Sequence, residues 1–323
     1  MDHEPISLQS RMQVDKLEDR FELVNALGQG TAGTVYHVRD KFRDNKEFAL
    51  KILSNKMIFD KTILSRFIDE LKICSKINHP NIVQAFELVE GRDCIGYTME
   101  LVNGCDLRQL LKTSKFSYAE VDQVMMQLLE GLSELHRLKI MHRDLKLENI
   151  IMTADGVVKI SDLGLVKKLE GKNITTAGVL LGTPQYMAPE YIKGSWFDER
   201  SDIYSCGIIL YELLSGKRRL PNKSGDDSIK HLMSTNFEIP TISVPKEHAK
   251  YYDILKYSLA LSPDNRFQTA KQMQTAFAKG EITFSKELPA KIQKTKMRKQ
   301  TKMLLHALIF VFAAILAALQ IYL

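Results

Sequence analysis

One short stretch of the chain holds side chains that could carry out phosphoryl transfer. Residues 142–149 read His-Arg-Asp-Leu-Lys-Leu-Glu-Asn, and an Asp-Leu-Gly triplet begins at Asp162, thirteen residues after Asn149. Phosphoryl transfer needs a positioned nucleophile and cations that neutralise charge on the phosphoryl oxygens, with little covalent help from protein. Asp144 supplies a carboxylate and Lys146 a cation. Asn149 and Asp162 supply the type of oxygen ligand that Mg²⁺ prefers.

A glycine-rich segment near the start of the chain could cradle phosphates. Residues 28–33 read Gly-Gln-Gly-Thr-Ala-Gly, and glycines let backbone amides approach phosphate oxygens closely. Alone the pattern is weak, because it also fits a dinucleotide-binding turn or an ordinary turn. Residues 35–38, Val-Tyr-His-Val, predict a strand after the glycines. A β-hairpin is therefore favoured over the strand-to-helix turn of a dinucleotide fold.

In this order the motifs resemble those of protein kinases. Residues 142–149 are similar to the kinase catalytic loop, and residues 182–190, Gly-Thr-Pro-Gln-Tyr-Met-Ala-Pro-Glu, to the end of the activation segment. Lys146 and Thr183 match the serine/threonine members of the family. Residues 175–183 resemble the activation segment of its bacterial members. A small-molecule phosphotransferase shares the aspartate and asparagine spacing but lacks the Ala-Pro-Glu segment. The resemblance therefore implies protein substrates.

The resemblance assigns roles to the candidate catalytic residues. It implies that Asp144 accepts the proton of the substrate hydroxyl and that Lys146 steadies the γ-phosphate of ATP. It implies that Asn149 and Asp162 hold Mg²⁺, with Mn²⁺ as an alternative ion.

The ATP site implied by the resemblance lies mostly in the first hundred residues. Lys51, within the predicted strand 47–53, is implied to anchor ATP and to pair with Glu70. Glu70 belongs to a predicted amphipathic helix over 66–77, where apolar residues recur at helical intervals. The other residues implied to contact ATP are Leu27, Gly28, Gly30, Gly33, Val35, Ala49, Met99, Glu100 and Val102.

Three further resemblances concern structural contacts. Glu190 is implied to form a buried ion pair with Arg266, and Asp202 to brace the backbone of the catalytic loop. Thr183, just before Pro184, is expected to contact that loop.

A regulatory site is implied by Arg143, which directly precedes Asp144. In the family an arginine at this place receives a phosphate from the activation segment. Thr175 and Thr176 are the expected acceptors, with Lys167 as a second cation; the alternative is that both threonines are ordinary polar loop residues. Concentration at a membrane surface would favour phosphorylation of one molecule by another, for which self-association is one option.

Composition fits a folded enzyme whose positive charge is concentrated at one end. The chain has 323 residues, of which 45% are apolar and 26% charged, and a formal net charge of +6. Residues 291–323 hold six basic and no acidic residues, so residues 1–290 carry 39 of each sign. Because residues 1–290 carry no net charge, the composition argues against nucleic-acid binding.

Residues 303–323 read as a transmembrane helix. These twenty-one residues contain no Asp, Glu, Lys or Arg, and as a helix they would span about 31 Å, close to the hydrocarbon thickness of a bilayer. A buried helix of a soluble protein is the alternative, but it would be unusually apolar on every face. Because the basic residues precede the helix, the positive-inside rule predicts a single-pass anchor with the enzyme in the cytoplasm, at the inner membrane if the source is bacterial. Basic charge beside an anionic leaflet adds attraction.

The expected fold class is α+β, a bilobal protein-kinase fold with a β-rich N-lobe and a helical C-lobe, plus a C-terminal transmembrane helix. We expect an N-terminal extension over 1–20, a kinase domain over 21–279, a basic linker over 280–302 and the anchor over 303–323. Within the domain the N-lobe is expected at 21–99, the hinge at 100–104 and the C-lobe at 105–279. The function implied is that of a membrane-anchored serine/threonine kinase, and the alternative is a catalytically weak or inactive kinase-like scaffold at the membrane.

Overall fold

A computed structural model describes residues 12–13, 17–30, 33–53, 61–92, 94–163, 183–194, 197–220, 225–238 and 241–279. Its strands are β1 (Met12–Gln13), β2 (Phe21–Gly30), β3 (Gly33–Asp40), β4 (Lys46–Leu53), β5 (Ala85–Glu90), β6 (Ile95–Met99), β7 (Gly104–Asp106), β8 (Ile150–Thr153) and β9 (Val158–Ile160). Its α-helices are α1 (Leu17–Arg20), α2 (Lys61–Cys74), α3 (Leu107–Thr113), α4 (Tyr118–Arg137), α5 (Pro189–Ile192), α6 (Glu199–Ser215), α7 (Gly225–Ser234), α8 (Lys250–Ser258) and α9 (Ala270–Lys279).

The N-lobe is a six-stranded sheet in the order β1-β5-β6-β4-β3-β2, with α2 packed against β5. Strands β2, β3 and β4 run antiparallel, and β2 pairs with β3 up to Gly30 opposite Gly33, as the predicted hairpin requires. Because side chains alternate between the faces of a strand, one face buries an apolar cluster. This cluster contains Phe21, Val38, Phe48, Leu50 and Val89.

The helix predicted over 66–77 begins and ends earlier, at Lys61 and Cys74. Phe67, Leu71, Cys74 and Ile77 are all buried, as their spacing suggested. However, Ile77 lies after the helix, where its backbone N–H donates to the carbonyl of Cys74, three residues back. The chain thus unwinds into tighter turns before Pro80, so the apolar pattern outlasts the helix.

Residues assigned to an N-terminal extension take part in the N-lobe. Strand β1 pairs with β5 in parallel, through Met12 opposite Val89. Arg20, at the end of α1, is buried and its guanidinium contacts the carboxylates of Asp40 and Glu87. Two carboxylates around one buried cation offset the cost of removing these charges from water. The N-lobe therefore starts before residue 21.

Two long helices organise the C-lobe. Helix α4 begins at Tyr118, because the Ser117 side chain caps it and Glu120 bonds back to the cap in a capping box. Helix α6 runs from Glu199 to Ser215 and is buried on all sides over most of its length, as expected of a helix at the centre of a domain. The small sheet β7-β8-β9 packs against α4 through β9, so the C-lobe is not purely helical. The predicted hinge 100–104 ends inside β7.

The predicted linker (280–302) and anchor (303–323) lie outside the described residues. Within the part of the chain that the structure describes, none of the helices is both long and apolar enough to cross a membrane.

Candidate active site

The predicted catalytic loop, residues 142–149, lies between α4 and β8 and is braced by Asp202. The buried Asp202 carboxylate accepts hydrogen bonds from the backbone N–H groups of His142 and Arg143, both at 2.9 Å. It also lies 2.9 Å from Nε2 of His136. Burial alone would raise the pKa of Asp202, but the bond to His136 and the nearby donors lower it. The predicted bracing role of Asp202 is confirmed.

Two residues of the site have left-handed backbone conformations. Arg143 has φ of 64° and Asp162 has φ of 56°. Residues other than glycine rarely adopt this region, and each such residue costs on the order of 1–3 kcal/mol. The bonds from Asp202 hold the first of these conformations in place.

His142 joins the catalytic loop to the Asp-Leu-Gly segment. Its Nε2 lies 2.9 Å from the carbonyl of Ser161, and its Nδ1 accepts from the backbone N–H of Asp144 at 3.3 Å. These partners require a neutral ring with the proton on Nε2. Complete burial lowers the pKa of His142, which agrees with a neutral ring.

Ser161 fixes the residue next to Asp162 against the catalytic loop. Its backbone N–H and its hydroxyl both donate to the carbonyl of Asn149, at 2.9 and 3.1 Å. The two predicted metal ligands, Asn149 and Asp162, are therefore connected through one intervening residue. Nothing in the sequence pattern marked Ser161, because a serine before an aspartate is common in loops.

Asp144 is held by its neighbours in the loop. The side-chain amide of Asn149 donates to the backbone carbonyl of Asp144 at 2.9 Å and to its Oδ2 at 3.3 Å. Lys146 Nζ lies 3.1 Å from the same Oδ2 and 3.5 Å from the hydroxyl of Thr183. The expected contact between Thr183 and the catalytic loop is confirmed.

Lys51 and Asp162 meet between the two lobes. Lys51 is buried in β4, and its Nζ contacts Oδ1 of Asp162, whose side chain is 38% exposed. Burial by itself lowers the pKa of Lys51, but neighbouring Tyr97 and the Asp162 carboxylate more than offset it, and the pKa is raised. Lys51 is therefore a charged ammonium. The side chain of Glu70, its predicted partner, lies outside the described residues, whereas Asp69 is exposed and pairs with Lys72, facing away as expected.

The predicted ATP-contacting residues lie on adjacent strands. Gly28 is paired with Val35, Val35 with Lys51, and Ala49 with Met99. Ala49 and Met99 are buried, whereas Leu27 is half exposed. Glu100 follows β6, where its N–H donates to Gln84 and its carboxylate lies 2.9 Å from Lys159. Val102 lies two residues further on, between β6 and β7.

The three glycines of the hairpin differ in what requires them. A Cβ at Gly33 would come within 1.9 Å of the Ile52 carbonyl oxygen, so folding itself excludes a side chain there. A Cβ at Gly28 would meet nothing within 4 Å, and one at Gly30 only Gly33 O at 4.0 Å. Packing among the described residues does not require glycine at these two positions, which fits close approach of a phosphate chain.

The candidate metal ligands suit an ion that takes most of its ligands from substrate phosphates and water. Among the described residues there is no group of three or more His, Cys, Asp or Glu side chains that could hold a metal ion. The amide nitrogen of Asn149 is turned to Asp144, which leaves its carbonyl oxygen as the donor, and Asp162 is partly exposed. Mg²⁺ commonly binds through one or two protein oxygens together with substrate phosphates and waters. The residues present therefore fit this ion.

Glu190 and Arg266 form the predicted buried pair. The guanidinium donates to both carboxylate oxygens at 2.7 Å. Burial alone would raise the pKa of Glu190, but Arg266 lowers it. Arg266 also donates to the backbone carbonyls of Ala260, Arg200 and Leu261. The prediction of a structural ion pair is confirmed.

A second polar network lies under the catalytic loop and has no counterpart in the predictions. Arg108 of α3 contacts Glu148 of the loop at 3.1 Å, and contacts Glu212 of α6 and the hydroxyl of Tyr186 at 2.5 and 2.6 Å. These residues are far apart in sequence, so only the fold brings them together.

Comparison with known proteins gives the same overall picture. The profile of the protein kinase domain matches residues 21–278. The chain is 31% identical over 268 residues to the serine/threonine-protein kinase PknB of Mycobacterium tuberculosis, covering 80% of this chain and 42% of that protein. It is 30% identical over 266 residues to the serine/threonine-protein kinase PrkC of Bacillus subtilis, covering 80% and 40%. The match thus spans about two-fifths of the length of these relatives.

A solved structure agrees on the fold. The kinase domain of PknI from Mycobacterium tuberculosis superposes with a TM-score of 0.62 at 22% identity, covering 80% of this chain and 94% of that one. The predicted bilobal arrangement, with a β-sheet N-lobe and a helical C-lobe, is confirmed.

Proposed function

The chain belongs to the protein kinase family, in its eukaryotic-type serine/threonine branch, and from this premise we propose that it transfers the γ-phosphate of ATP to serine or threonine hydroxyls of proteins. One observation is the main support for this proposal. A carboxylate (Asp144), a cation (Lys146) and an amide (Asn149) are fixed against one another in the loop, while Lys51 and Asp162 face each other across the two lobes.

Each of these side chains has a chemical task in the reaction. Asp144 accepts the proton of the substrate hydroxyl, because its carboxylate is oriented by Asn149 and stays close to Lys146. Lys146 offsets negative charge on the phosphoryl group as it moves. Its contact with Thr183 ties this cation to the segment that precedes Ala-Pro-Glu.

The nucleotide and metal ion would occupy the cleft above these residues. Asn149 and Asp162 would hold Mg²⁺, which when bound neutralises charge on the phosphate oxygens. Lys51 is a buried charged ammonium in β4 and would bind phosphate oxygens once it exchanges Asp162 for them. The hairpin glycines, Gly28 and Gly30, leave space for backbone donors to approach the same phosphates.

The direct test is phosphoryl transfer by the purified 323-residue protein with labelled ATP and Mg²⁺, followed by phosphosite mapping. Asp144→Asn and Asp162→Asn are expected to remove activity while the protein still folds, because each replaces a carboxylate by an amide of the same size. General-base catalysis alone contributes about 10²–10⁴-fold. Unchanged activity in the Asp162 variant would favour an inactive scaffold and a contaminating kinase.

We also propose that residues 303–323 anchor the protein to a membrane, with the kinase domain in the cytoplasm. The support is the run of twenty-one residues without Asp, Glu, Lys or Arg, preceded by six basic residues from 291 onwards. Removal of 303–323 is expected to move the protein to the soluble fraction with its activity intact. Pelleting of the shortened protein with membranes after an alkaline wash would contradict the anchor.

Regulation by autophosphorylation is a further proposal, with Arg143 as the receiver of a phosphate on Thr175 or Thr176. These threonines lie outside the described residues. The support is the position of Arg143 beside Asp144 and the gain of charge-assisted bonds when a phosphate meets a guanidinium. Self-association at the membrane would raise the effective concentration for phosphorylation between molecules. A Thr175→Ala, Thr176→Ala double variant is expected to be slower, and equal rates at limiting enzyme concentration would contradict this switch.

A further inference from the structure

The network under the catalytic loop bears on which peptides the enzyme selects. Glu148 lies four residues after Asp144, in the turn Leu147–Asn149, and its side chain is one-third exposed. A substrate whose hydroxyl reaches Asp144 must pass close to this turn. An exposed glutamate so near the proposed base would be expected to attract a basic residue of the substrate.

The structure places an arginine of the chain itself against that glutamate. Nε of Arg108 lies 3.1 Å from Oε1 of Glu148, and Arg108 is almost fully buried. Nη2 of Arg218 lies 3.7 Å from the same oxygen. The other oxygen of Glu148, Oε2, is buried and has no hydrogen-bond partner among the described residues. Arginines of the chain thus occupy Oε1 of Glu148, and burial closes Oε2 to an incoming guanidinium.

Arg108 is itself held firmly from the other side. It donates to Oε2 of the fully buried Glu212 at 2.5 Å and to the hydroxyl of Tyr186 at 2.6 Å. That hydroxyl in turn donates to Glu212 at 2.6 Å. Burial alone lowers the pKa of Arg108, but Tyr186 and the two glutamates raise it, so the side chain stays charged. A substrate cation would have to displace an arginine that is bonded on both sides.

We infer that Arg108 is a specificity-determining residue, which occupies from within the acidic position beside Asp144 that a basic substrate side chain would otherwise take. The inference rests on the proposed kinase function. It assigns the enzyme to substrates without a required arginine or lysine next to the phospho-acceptor. It also identifies Glu148 as the residue that would create such a requirement if Arg108 were removed.

The test compares peptides that carry one arginine, moved through the positions before the acceptor, with peptides that carry glutamine at the same place. Binding is measured by fluorescence anisotropy with ADP and Mg²⁺ present, and kcat/KM is measured in parallel with ATP. For the wild-type protein the arginine and glutamine peptides are expected to agree within about twofold. A strong wild-type preference for arginine that Glu148→Gln abolishes would overturn the inference.

The decisive variant combines Arg108→Met with Glu212→Gln, because removing the arginine alone leaves a buried unpaired carboxylate. This protein is expected to bind one arginine peptide about tenfold better than its glutamine partner, equivalent to about 1.4 kcal/mol. Adding Glu148→Gln should cancel the gain, and Glu212→Gln alone should show none. Thermal unfolding checks that each variant folds. A folded double variant without any gain overturns the inference.

If the double variant does not fold, a single variant still tests the inference. Glu148→Gln alone leaves Arg108 paired with Glu212, so the ratio of arginine to glutamine binding should stay within about twofold of wild type. A clear fall in that ratio overturns the inference. Lack of phosphate transfer by the wild-type protein, with peptides still bound, counts against the proposed function and leaves the binding ratios as a separate test.

Discussion

Two ion pairs in this molecule differ in burial and in the number of bonds that join the charged groups. Arg266 and Glu190 are both buried and joined by two bonds of 2.7 Å, and the arginine also donates to three backbone carbonyls. Lys51 and Asp162 meet through one ammonium and one carboxylate oxygen, and the aspartate is 38% exposed.

The two pairs differ in whether their charged groups can exchange partners. A bidentate arginine with every other donor satisfied cannot exchange partners without leaving a charge unpaired in the interior. A lysine is a point charge on a flexible stem, and a half-exposed aspartate can turn to solvent. The first pair therefore fixes the loop before α6, whereas the second can open, as the proposed function requires for a nucleotide to enter.

Breaking the permanent pair is expected to have the largest effect on stability. Arg266→Met leaves the Glu190 carboxylate buried without its partner, and we expect the free energy of unfolding to fall by about 3–5 kcal/mol. Urea unfolding followed by circular dichroism measures this. Arg137→Met is the matched control, since Arg137 also makes two bonds of 2.7 Å to a glutamate but is exposed. Equal losses in the two variants would contradict the role of burial.

Breaking the exchangeable pair should affect activity and spare stability. Lys51→Met removes the buried cation but leaves its partner Asp162 partly exposed, so that carboxylate can turn to water and carries little of the penalty of an unpaired buried charge. Loss of a positioned charge in the site is expected to lower kcat/KM by about 10²–10³-fold. Lys72→Met, which breaks the exposed pair with Asp69, should change neither quantity. A Lys51 variant as unstable as the Arg266 variant would erase the distinction between the pairs.

The pH dependence of stability sharpens the comparison at His142, which links the loop to the segment that carries Asp162. Its pKa is lowered in the folded protein relative to 6.5, because burial disfavours the charged ring. As the pH falls below 6.5, the unfolded chain binds a proton that the native ring does not, so stability decreases by at most about 1.4 kcal/mol per pH unit from this residue. Urea unfolding between pH 7.5 and 5.5 should show a smaller slope for His142→Gln than for wild type. Identical slopes would mean that His142 titrates normally.

The smallest effect is expected at Ser161, on the exchangeable side of the site. Ser161→Ala removes one hydroxyl bond to the Asn149 carbonyl but leaves the backbone bond in place. We expect a loss of about 1 kcal/mol in stability and a rise in the Mg²⁺ concentration needed for half-maximal activity. Ser133→Ala removes a similar hydroxyl bond within α4 and should leave the Mg²⁺ requirement unchanged. Equal Mg²⁺ requirements in both variants would show that Ser161 does not position the candidate metal ligands.

Much of the site could be predicted because its motifs are contiguous. The residues from His142 to Asn149 lie in one loop, and their chemistry is visible in their order. The pairing of Glu190 with Arg266 and the bracing by Asp202 were also predicted, through resemblance to a family in which those positions are known.

What could not be predicted depends on contacts between distant segments. The partners of Arg20 lie 20 and 67 residues away, at Asp40 and Glu87, and no local periodicity encodes them. Arg108 reads from sequence as an ordinary helical arginine, and only packing of α3 against α6 and the loop makes it buried. The helix predicted over 66–77 ends at Cys74 because the chain unwinds before Pro80, although the apolar pattern continues to Ile77.

The brace supplied by Asp202 has a consequence for synthesis of the chain. Asp202 follows His142 by 60 residues, and a ribosome adding about 5–20 residues per second needs roughly 3–12 s to cover that distance. During this interval the catalytic loop exists without the carboxylate that holds Arg143 in its left-handed conformation. Ribosome-bound chains arrested before residue 202 should therefore be cut by protease within this loop, and chains extended well beyond α6 should resist.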